Sequence, residues 1–178
     1  MSLVIAPNLN EYITRISDIL KRSAQLFPKT VGLDDTKEDL VQQVIMYEIP
    51  IIVTPVTGGG PPHIVVTTSK TPIIEKIRTG RDSRNEQGPE RWTLEFYVYV
   101  ISQSTDLTKA EALMYDITSA VETTLGKNLR LTDENNENPL SATLETIELP
   151  LLLNIEQREI IARNVVVRPQ VYVNLRES

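Results

Sequence analysis

The feature that most constrains the fold is a nine-residue stretch of strict alternation at residues 92–100, WTLEFYVYV. Every second residue is apolar, and the residues between them are more polar. Trp92, Leu94, Phe96, Val98 and Val100 would share one face of a strand, with Thr93, Glu95, Tyr97 and Tyr99 on the other. Because successive side chains of a strand point to opposite faces of its sheet, only one face of this sheet needs a full cover. The stretch therefore predicts an antiparallel sheet packed on one side.

A first amphipathic helix, predicted from Leu9 to Leu26, can supply part of that cover. Its apolar residues recur at the three- and four-residue spacing of one helical face. Asn8 is a good N-cap, and Glu11 is placed to complete a capping box. Pro28 ends the pattern, because the residue before a proline is driven away from helical backbone angles.

A second helix is predicted from about residue 107 to residue 125. Thr105 or Asp106 would cap its start, and Gly126 stands where a helix commonly stops. The expected apolar stripe consists of Ala110, Leu113, Met114, Ile117, Val121 and Leu125. Two helices with one apolar face each are enough to cover one side of a small sheet.

The remaining apolar segments favour strands. They lie at residues 49–56, 63–68 and 72–79, in addition to 92–100, and the C-terminal part at 154–178 is rich in strand-forming residues. Segments 72–79 and 92–100 are expected to pair as a hairpin. Residues 40–47 are ambiguous, since the segment fits either a short helical stripe or the lead into a strand.

The order of these segments is helix, strands with a hairpin, helix, strands. We therefore expect one α+β domain over residues 1–178, with a mostly antiparallel, mixed sheet and both main helices on one face. Because the helices do not alternate with single strands, a doubly wound parallel sheet is disfavoured. The polar, acidic connector and the ambiguous segment together occupy residues 29–47, and an acidic loop is expected at residues 133–139.

Composition limits the chemistry available to the chain. Its 178 residues contain no cysteine and one histidine, and they carry a formal charge of −6. A disulfide framework, a thiolate nucleophile and any site that needs two histidines are excluded. No apolar run is long enough to span a bilayer and no secretory signal pattern is present, so we expect a soluble protein.

Individual motifs do not point to catalysis either. His63 has no partner at metal-ligand spacing, which favours a structural or exposed histidine. The run Gly58–Gly60 lacks the following Lys-Ser/Thr of a phosphate loop and is better interpreted as a flexible turn. The sequence contains no G-x-S-x-G elbow, and its paired carboxylates lie in polar segments. We expect no catalytic residue, no cofactor and no metal.

The best candidate for a functional element is the long tip of the predicted hairpin, residues 80–91. A tip of this length exceeds an ordinary hairpin turn. Arg78, Arg81, Arg84 and Arg91 make it locally basic within an acidic chain. Arginines there could contact phosphates or a neighbouring subunit, or the tip could be a solvated charged loop without a partner.

The arrangement resembles the tail-terminator or tail-completion proteins of long-tailed bacteriophages, siphovirus or myovirus, and of related contractile particles. The resemblance covers the opening helix, the strand around PIIVTPV, the hairpin that ends in RWTLEFYVYV, the helix KAEALMYDITSAVETTLGKNL and the closing strands REIIARNVVVRPQVYVNL. It rests on the order of the elements over most of the chain and not on a signature motif.

The resemblance implies a structural virion protein, assembled in the host cytoplasm, that forms a homo-oligomeric ring, usually six-fold. Such a ring caps the head-proximal end of the tail tube, ends tail polymerisation and offers the neck or connector proteins a docking surface. The implied partners are other copies of the chain, the tail tube protein and the neck proteins, with transient contact to passing DNA and none to a membrane. By the resemblance, the arginine-bearing tip would face the lumen or the assembly.

Three alternatives remain open from the sequence. The first is another head–tail joining, sheath-terminator or baseplate component. The second is a small-molecule-binding or enzymatic α+β domain whose site is built from scattered polar residues. The third is an accessory protein that binds nucleic acid through Arg78, Arg81 and Arg84, which would bind DNA in a strongly salt-dependent way.

Overall fold

A computed structural model of the chain describes residues 8–32, 34–46, 62–68, 73–76, 90–104, 107–128, 141–146, 151–155 and 158–173. Their helices and strands are, in order, α1 (Leu9–Lys21), β1 (Gln43–Met46), β2 (His63–Thr68), β3 (Ile73–Lys76), β4 (Glu90–Thr93), β5 (Phe96–Ser104), α2 (Leu107–Lys127), β6 (Ser141–Thr146), β7 (Leu151–Ile155) and β8 (Arg158–Val173). The strand predicted at 49–56, the turn at 58–60, the caps at 105–106 and the loop at 133–139 lie outside the described residues.

The eight described strands form one mixed sheet. β1 and β2 are parallel, and all the other strand pairs are antiparallel. β8 is the central strand: β5 and β4 pair along one of its sides, and β7 and β6 along the other. Both helices pack on the same face of this sheet. The α+β architecture predicted from the order of the segments is therefore confirmed.

The alternating stretch at 92–100 lies in two strands, because its ladder with β8 is interrupted. The register is continuous across the interruption, since Thr93 pairs with Gln170 and Phe96 with Val167. Between them the Leu94 N–H donates to the Pro169 carbonyl at 3.0 Å. Proline has no N–H to donate in return, so this residue pair has only one of the two hydrogen bonds that an antiparallel ladder normally makes there.

The predicted hairpin is confirmed for part of its length. β3 and β4 pair in antiparallel fashion, from Ile73 opposite Thr93 to Lys76 opposite Glu90. The second half of the stretch, β5, pairs with β2 and β8 instead. The segment that joins the two hairpin strands is thus residues 77–89.

Helix α1 starts as predicted and ends earlier. The Asn8 side chain accepts a hydrogen bond from the backbone N–H of Asn10 at 3.1 Å, and so caps the helix. The Glu11 carboxylate pairs with Arg15 one turn later, so the expected capping box is replaced by an i,i+4 ion pair. The helix ends at Lys21, not near residue 26.

The chain beyond α1 stays in the core although the helix has ended. A turn follows in which Phe27 N–H donates to the Ser23 carbonyl at 2.8 Å, and this turn buries Leu26 completely. Because this turn packs on the same core as α1, its apolar residues continue the helical spacing in the sequence although the helix itself has ended.

The ambiguous segment at 40–47 contains the edge strand β1. Val44 of β1 is buried and lies beside Ile64 of β2. Hydrogen bonds fix the entrance to the strand: Leu40 N–H donates to the Leu26 carbonyl and Gln42 N–H to the Pro62 carbonyl, each at 2.9 Å.

The main core lies between the helices and the sheet. Leu94 and, from β5, Phe96, Val98 and Val100 are the buried residues of the alternating stretch. Helix α2 contributes the predicted stripe, of which only Leu113 is partly exposed. The Phe96 ring is fully buried and stacks on Tyr12 of α1, with ring centroids 5.6 Å apart. Burial raises the pKa of Tyr12 to about 12. Burying a side chain the size of Phe96 contributes about 1.5–3 kcal/mol to folding.

Helix α2 runs two residues beyond its predicted end, through Gly126 to Lys127. Its last turn is closed by the Asn128 side chain, whose amide donates to the Thr124 carbonyl at 2.8 Å. Neither helix in the described part of the chain combines the length and the apolar character needed to cross a membrane.

Candidate assembly surfaces

Of the four arginines predicted to form a functional tip, Arg91 is the one that lies within the described residues. Arg91 lies within β4, opposite Glu75 of β3 and Tyr172 of β8, so it belongs to the ladder and not to the tip. Arg78, Arg81 and Arg84 fall outside the described residues. The predicted boundary at residue 91 is therefore wrong by two residues, because the paired strand β4 already begins at Glu90.

Within the described part of the chain, strand edges without a partner strand lie on both sides of the sheet. Among the described strands, β1 pairs with β2 alone and β3 with β4 alone, and these form one side. On the opposite side, β6 and β7 pair with β8 alone. Open edges are surfaces to which another strand can be added.

A polar network on the helix-free face of the sheet lies next to the interruption between β4 and β5. The Glu95 carboxylate accepts a hydrogen bond from Arg168 Nε at 2.9 Å and a second one from the Tyr97 hydroxyl. These bonds lower the pKa of Glu95, the Tyr97 bond having the larger effect. The Glu95 carbonyl in turn accepts a bond from Thr68 Oγ1 at 2.9 Å. The network holds β2, β5 and β8 together where a backbone hydrogen bond is missing.

His63 occupies the first position of β2, as the sequence predicted. It faces the helix-free side, as Val65 does, and burial lowers its pKa, which favours the neutral ring. Its Nδ1 atom is buried and has no hydrogen-bond partner within the described residues, and the same is true of Asn164 Oδ1. No group of three or more potential metal ligands surrounds either residue in the part of the chain that the structure describes.

The acidic connector is organised by its own carboxylates. Asp39 accepts hydrogen bonds from the backbone N–H groups of Lys29, at 2.8 Å, and of Thr30, at 3.1 Å, so it ties the end of the connector to its beginning. Asp34 caps a turn by accepting from the Thr36 N–H at 3.1 Å. The hydrogen bond from the Thr30 side chain lowers the pKa of Asp39, and the hydrogen bond from the Thr36 side chain lowers the pKa of Asp34. Both groups therefore act as structural hydrogen-bond acceptors.

An open groove of about 640 Å³ lies between this connector and α2. Pro28, Leu40 and Ala120 provide apolar lining, while Ser119 and Thr123 line it from α2. Its charged lining residues are Lys37, Glu38 and Asp116. Small-molecule sites usually enclose most of the ligand, and this groove is wide open to solvent. It is better suited to a segment of protein chain.

The charged residues of the groove differ in whether they have partners. Lys37 pairs with Asp34 at 3.3 Å, and Glu38 with Lys29 at 3.2 Å. Within the described residues the Asp116 carboxylate has neither an ion pair nor a hydrogen bond. Sequence patterns do not predict this groove, because its two walls are formed by residues that are about 75 to 100 positions apart and it carries no motif. The one hint of this groove in the sequence is the set of polar residues on one side of the second helix.

The sequence matches no known protein-family model, and a search of curated proteins finds no significant match.

Proposed function

We propose that this protein is a structural subunit that forms a ring at the head-proximal end of a bacteriophage tail. The ring would cap the tail tube, end its polymerisation and provide the surface on which the neck or head docks. The observation that carries the proposal is the combination of the element order with a single sheet in which, among the described strands, the edges on both sides have no partner strand. The activity proposed is assembly, without a catalytic step.

The sheet geometry suits a head-to-tail contact between copies. The edge formed by β1 and β3 differs from the edge formed by β6 and β7, so one edge of a copy would meet the other edge or another surface of its neighbour. A repeated contact between two unlike surfaces closes into a ring when its rotation allows closure. The tail tube protein would bind one side of this ring and the neck proteins the other, and DNA would pass through the lumen.

A tube-length assay tests the proposal. Tail tube protein encoded by the same genome is polymerised with and without this protein, and tube lengths and tube ends are measured in negative-stain images. We expect shorter tubes with a ring at one end, and a ring mass that mass photometry detects at those ends or in solution. A chain that stays monomeric and leaves both tube ends bare, with an unchanged length distribution, would overturn the proposal.

The assay also separates the related assembly roles. A sheath terminator would bind sheathed tails and not bare tubes, and a head-completion protein would bind the neck and leave tube lengths unchanged. A baseplate component would bind the opposite end of the tube, which images of tubes with one marked end would reveal.

A further inference from the structure

The surface around the groove carries an excess of negative charge. The connector from Lys29 to Asp39 has two lysines and four carboxylates, and Asp116 of α2 adds a fifth carboxylate across the groove. The net charge of this set is therefore 2 − 5 = −3. Asp35 and Asp116 are exposed and have no partner among the described residues, and of these two only Asp116 lines the groove, where it can accept a cation from another molecule.

The segment between β3 and β4 has the opposite charge. Residues 77–89 contain Arg78, Arg81 and Arg84 against Asp82 and Glu86, a net charge of +1. They connect two neighbouring antiparallel strands. Thirteen residues that leave and return to adjacent strand ends are long enough to reach about 20 Å beyond them, given about 3.3 Å per extended residue.

The hairpin extends away from the helices that form the groove. β4 pairs with residues 170–173 of β8, whereas the residues of β8 that pack in the main core are Val165 and Val167. The hairpin therefore continues the sheet past the part on which the helices pack. The groove, by contrast, lies on the helix side of the domain.

We propose that the groove between α2 and the connector receives the arginine-bearing segment 77–89 of a second copy of this chain. The inference rests on the proposed ring and identifies the contact between its subunits. The apolar lining can pack against the aliphatic part of an arginine, while the guanidinium pairs with Asp116 and the neighbouring connector carboxylates. Because groove and segment are different surfaces, the contact is head-to-tail, as a ring requires.

Disulfide trapping tests this contact directly, since the chain has no cysteine of its own. Ser83→Cys is placed in the segment of one copy and Ser119→Cys on the groove of a second copy that carries a size tag. The two are mixed under mild oxidation with diamide and scored for the mixed disulfide on non-reducing gels. Thr108→Cys, an exposed residue near the other end of α2, is the matched control.

We expect at least about a fivefold excess of the mixed product with Ser119→Cys over Thr108→Cys. Adding Asp116→Lys to the tagged copy should reduce that product by about fivefold, because a surface attraction becomes a repulsion. Glu111→Lys makes the same charge change on the same helix, away from the groove lining, and should reduce it less. Equal trapping at positions 108 and 119, or no effect of Asp116→Lys, would overturn the inference.

Three further outcomes separate this inference from the ring itself. A chain carrying both Ser83→Cys and Ser119→Cys that forms an internal disulfide and stays monomeric would show that the segment occupies its own groove, and would overturn the contact between copies. If the unmodified chain caps tubes while trapping at Ser119 is absent, the proposed function stands and the groove contact fails. Trapping without tube binding would support the groove contact and reject the tail function.

Discussion

The hydroxyl groups of Ser23 and Thr124 lie 2.7 Å apart in a buried hydrogen bond that joins the turn after α1 to the last turns of α2. The two residues are 101 positions apart in the sequence, and each is at least nine-tenths buried. Since both helices cover the same face of the sheet, this bond fixes the end of one helix against the other.

Replacing one partner of this pair should cost more than replacing both. Ser23→Ala leaves the Thr124 hydroxyl buried and unpaired, and should lower the free energy of unfolding by about 1–3 kcal/mol. In the Ser23→Ala/Thr124→Val chain no hydroxyl is left unpaired, so its loss should be clearly smaller than the sum of the two single losses. Urea unfolding of the four chains gives the coupling energy. Thr123→Ala, at an exposed neighbouring position, is the control and should change stability by no more than about 0.5 kcal/mol. If the loss in the double variant equals the sum of the two single losses, the pair is not coupled.

Phe96 is the side chain whose truncation should damage the core most. Phe96→Ala removes a fully buried ring and its stack on Tyr12, and should destabilise the fold by about 3–5 kcal/mol. Val31→Ala, at a position that is 40% exposed, is the control and should stay within about 0.5 kcal/mol. Thermal or urea unfolding measures both, and a Phe96→Ala loss below about 1 kcal/mol would contradict the packing described for the core.

The stability contributed by Glu95 should depend on pH in a defined direction. Hydrogen bonds from Tyr97 and Arg168 lower its pKa in the folded state below the ordinary value of 4.5. A lowered carboxyl pKa means that the stabilisation is fully present above pH 4.5, and is lost as the pH falls through the lowered folded value. Glu95→Gln should therefore reduce the melting temperature at pH 7, and the difference from the unmodified chain should shrink as the pH is lowered from 7 to well below 4.5. Asp35→Asn, at an exposed connector position, is the control. A difference that stays constant over this range would contradict the role of the carboxylate.

Shortening the segment between β3 and β4 should separate folding from assembly. A chain in which residues 79–87 are replaced by a two-residue turn keeps both hairpin strands and the core, so its melting temperature should change by less than about 2 °C. The same chain should no longer cap tail tubes or form rings. Calorimetry and the tube-length assay measure the two effects. A large loss of stability would mean that the segment packs in the domain, and unchanged capping would mean that it has no part in assembly.

Sequence patterns predicted both described helices and the strands at 63–68, 73–76 and 92–100, but not all of their ends. The alternation at 92–100 correctly assigned Leu94, Phe96 and Val98 to the buried face. The interruption at Leu94 could not be predicted, because its cause is Pro169, a residue 75 positions later whose pairing depends on the complete sheet. The early end of α1 was missed because Leu26 is buried by a turn and not by a helix.

The candidate surfaces depend even more on tertiary structure. The parallel pairing of β1 with β2 has no local signal, since both antiparallel and parallel strands show the same short apolar run. Asp116 was one acidic residue on an exposed helix face until the fold placed it across from the connector. The functional role of Arg78, Arg81 and Arg84 stays a prediction, because these residues lie outside the described part of the chain, and Arg91 lies in a paired strand.

The central position of β8 has a consequence for how the chain is made. β8 is the last described strand to be synthesised, yet β5 and β4 on one side and β7 and β6 on the other all depend on it for pairing. Until residues 158–173 have left the ribosome, β5 has an open edge and the two halves of the sheet have nothing to join them. Long-range pairings of this kind form slowly and leave apolar strands exposed in the meantime. The described sheet can therefore be completed only after residues 158–173 have left the ribosome and β8 can pair on both of its sides.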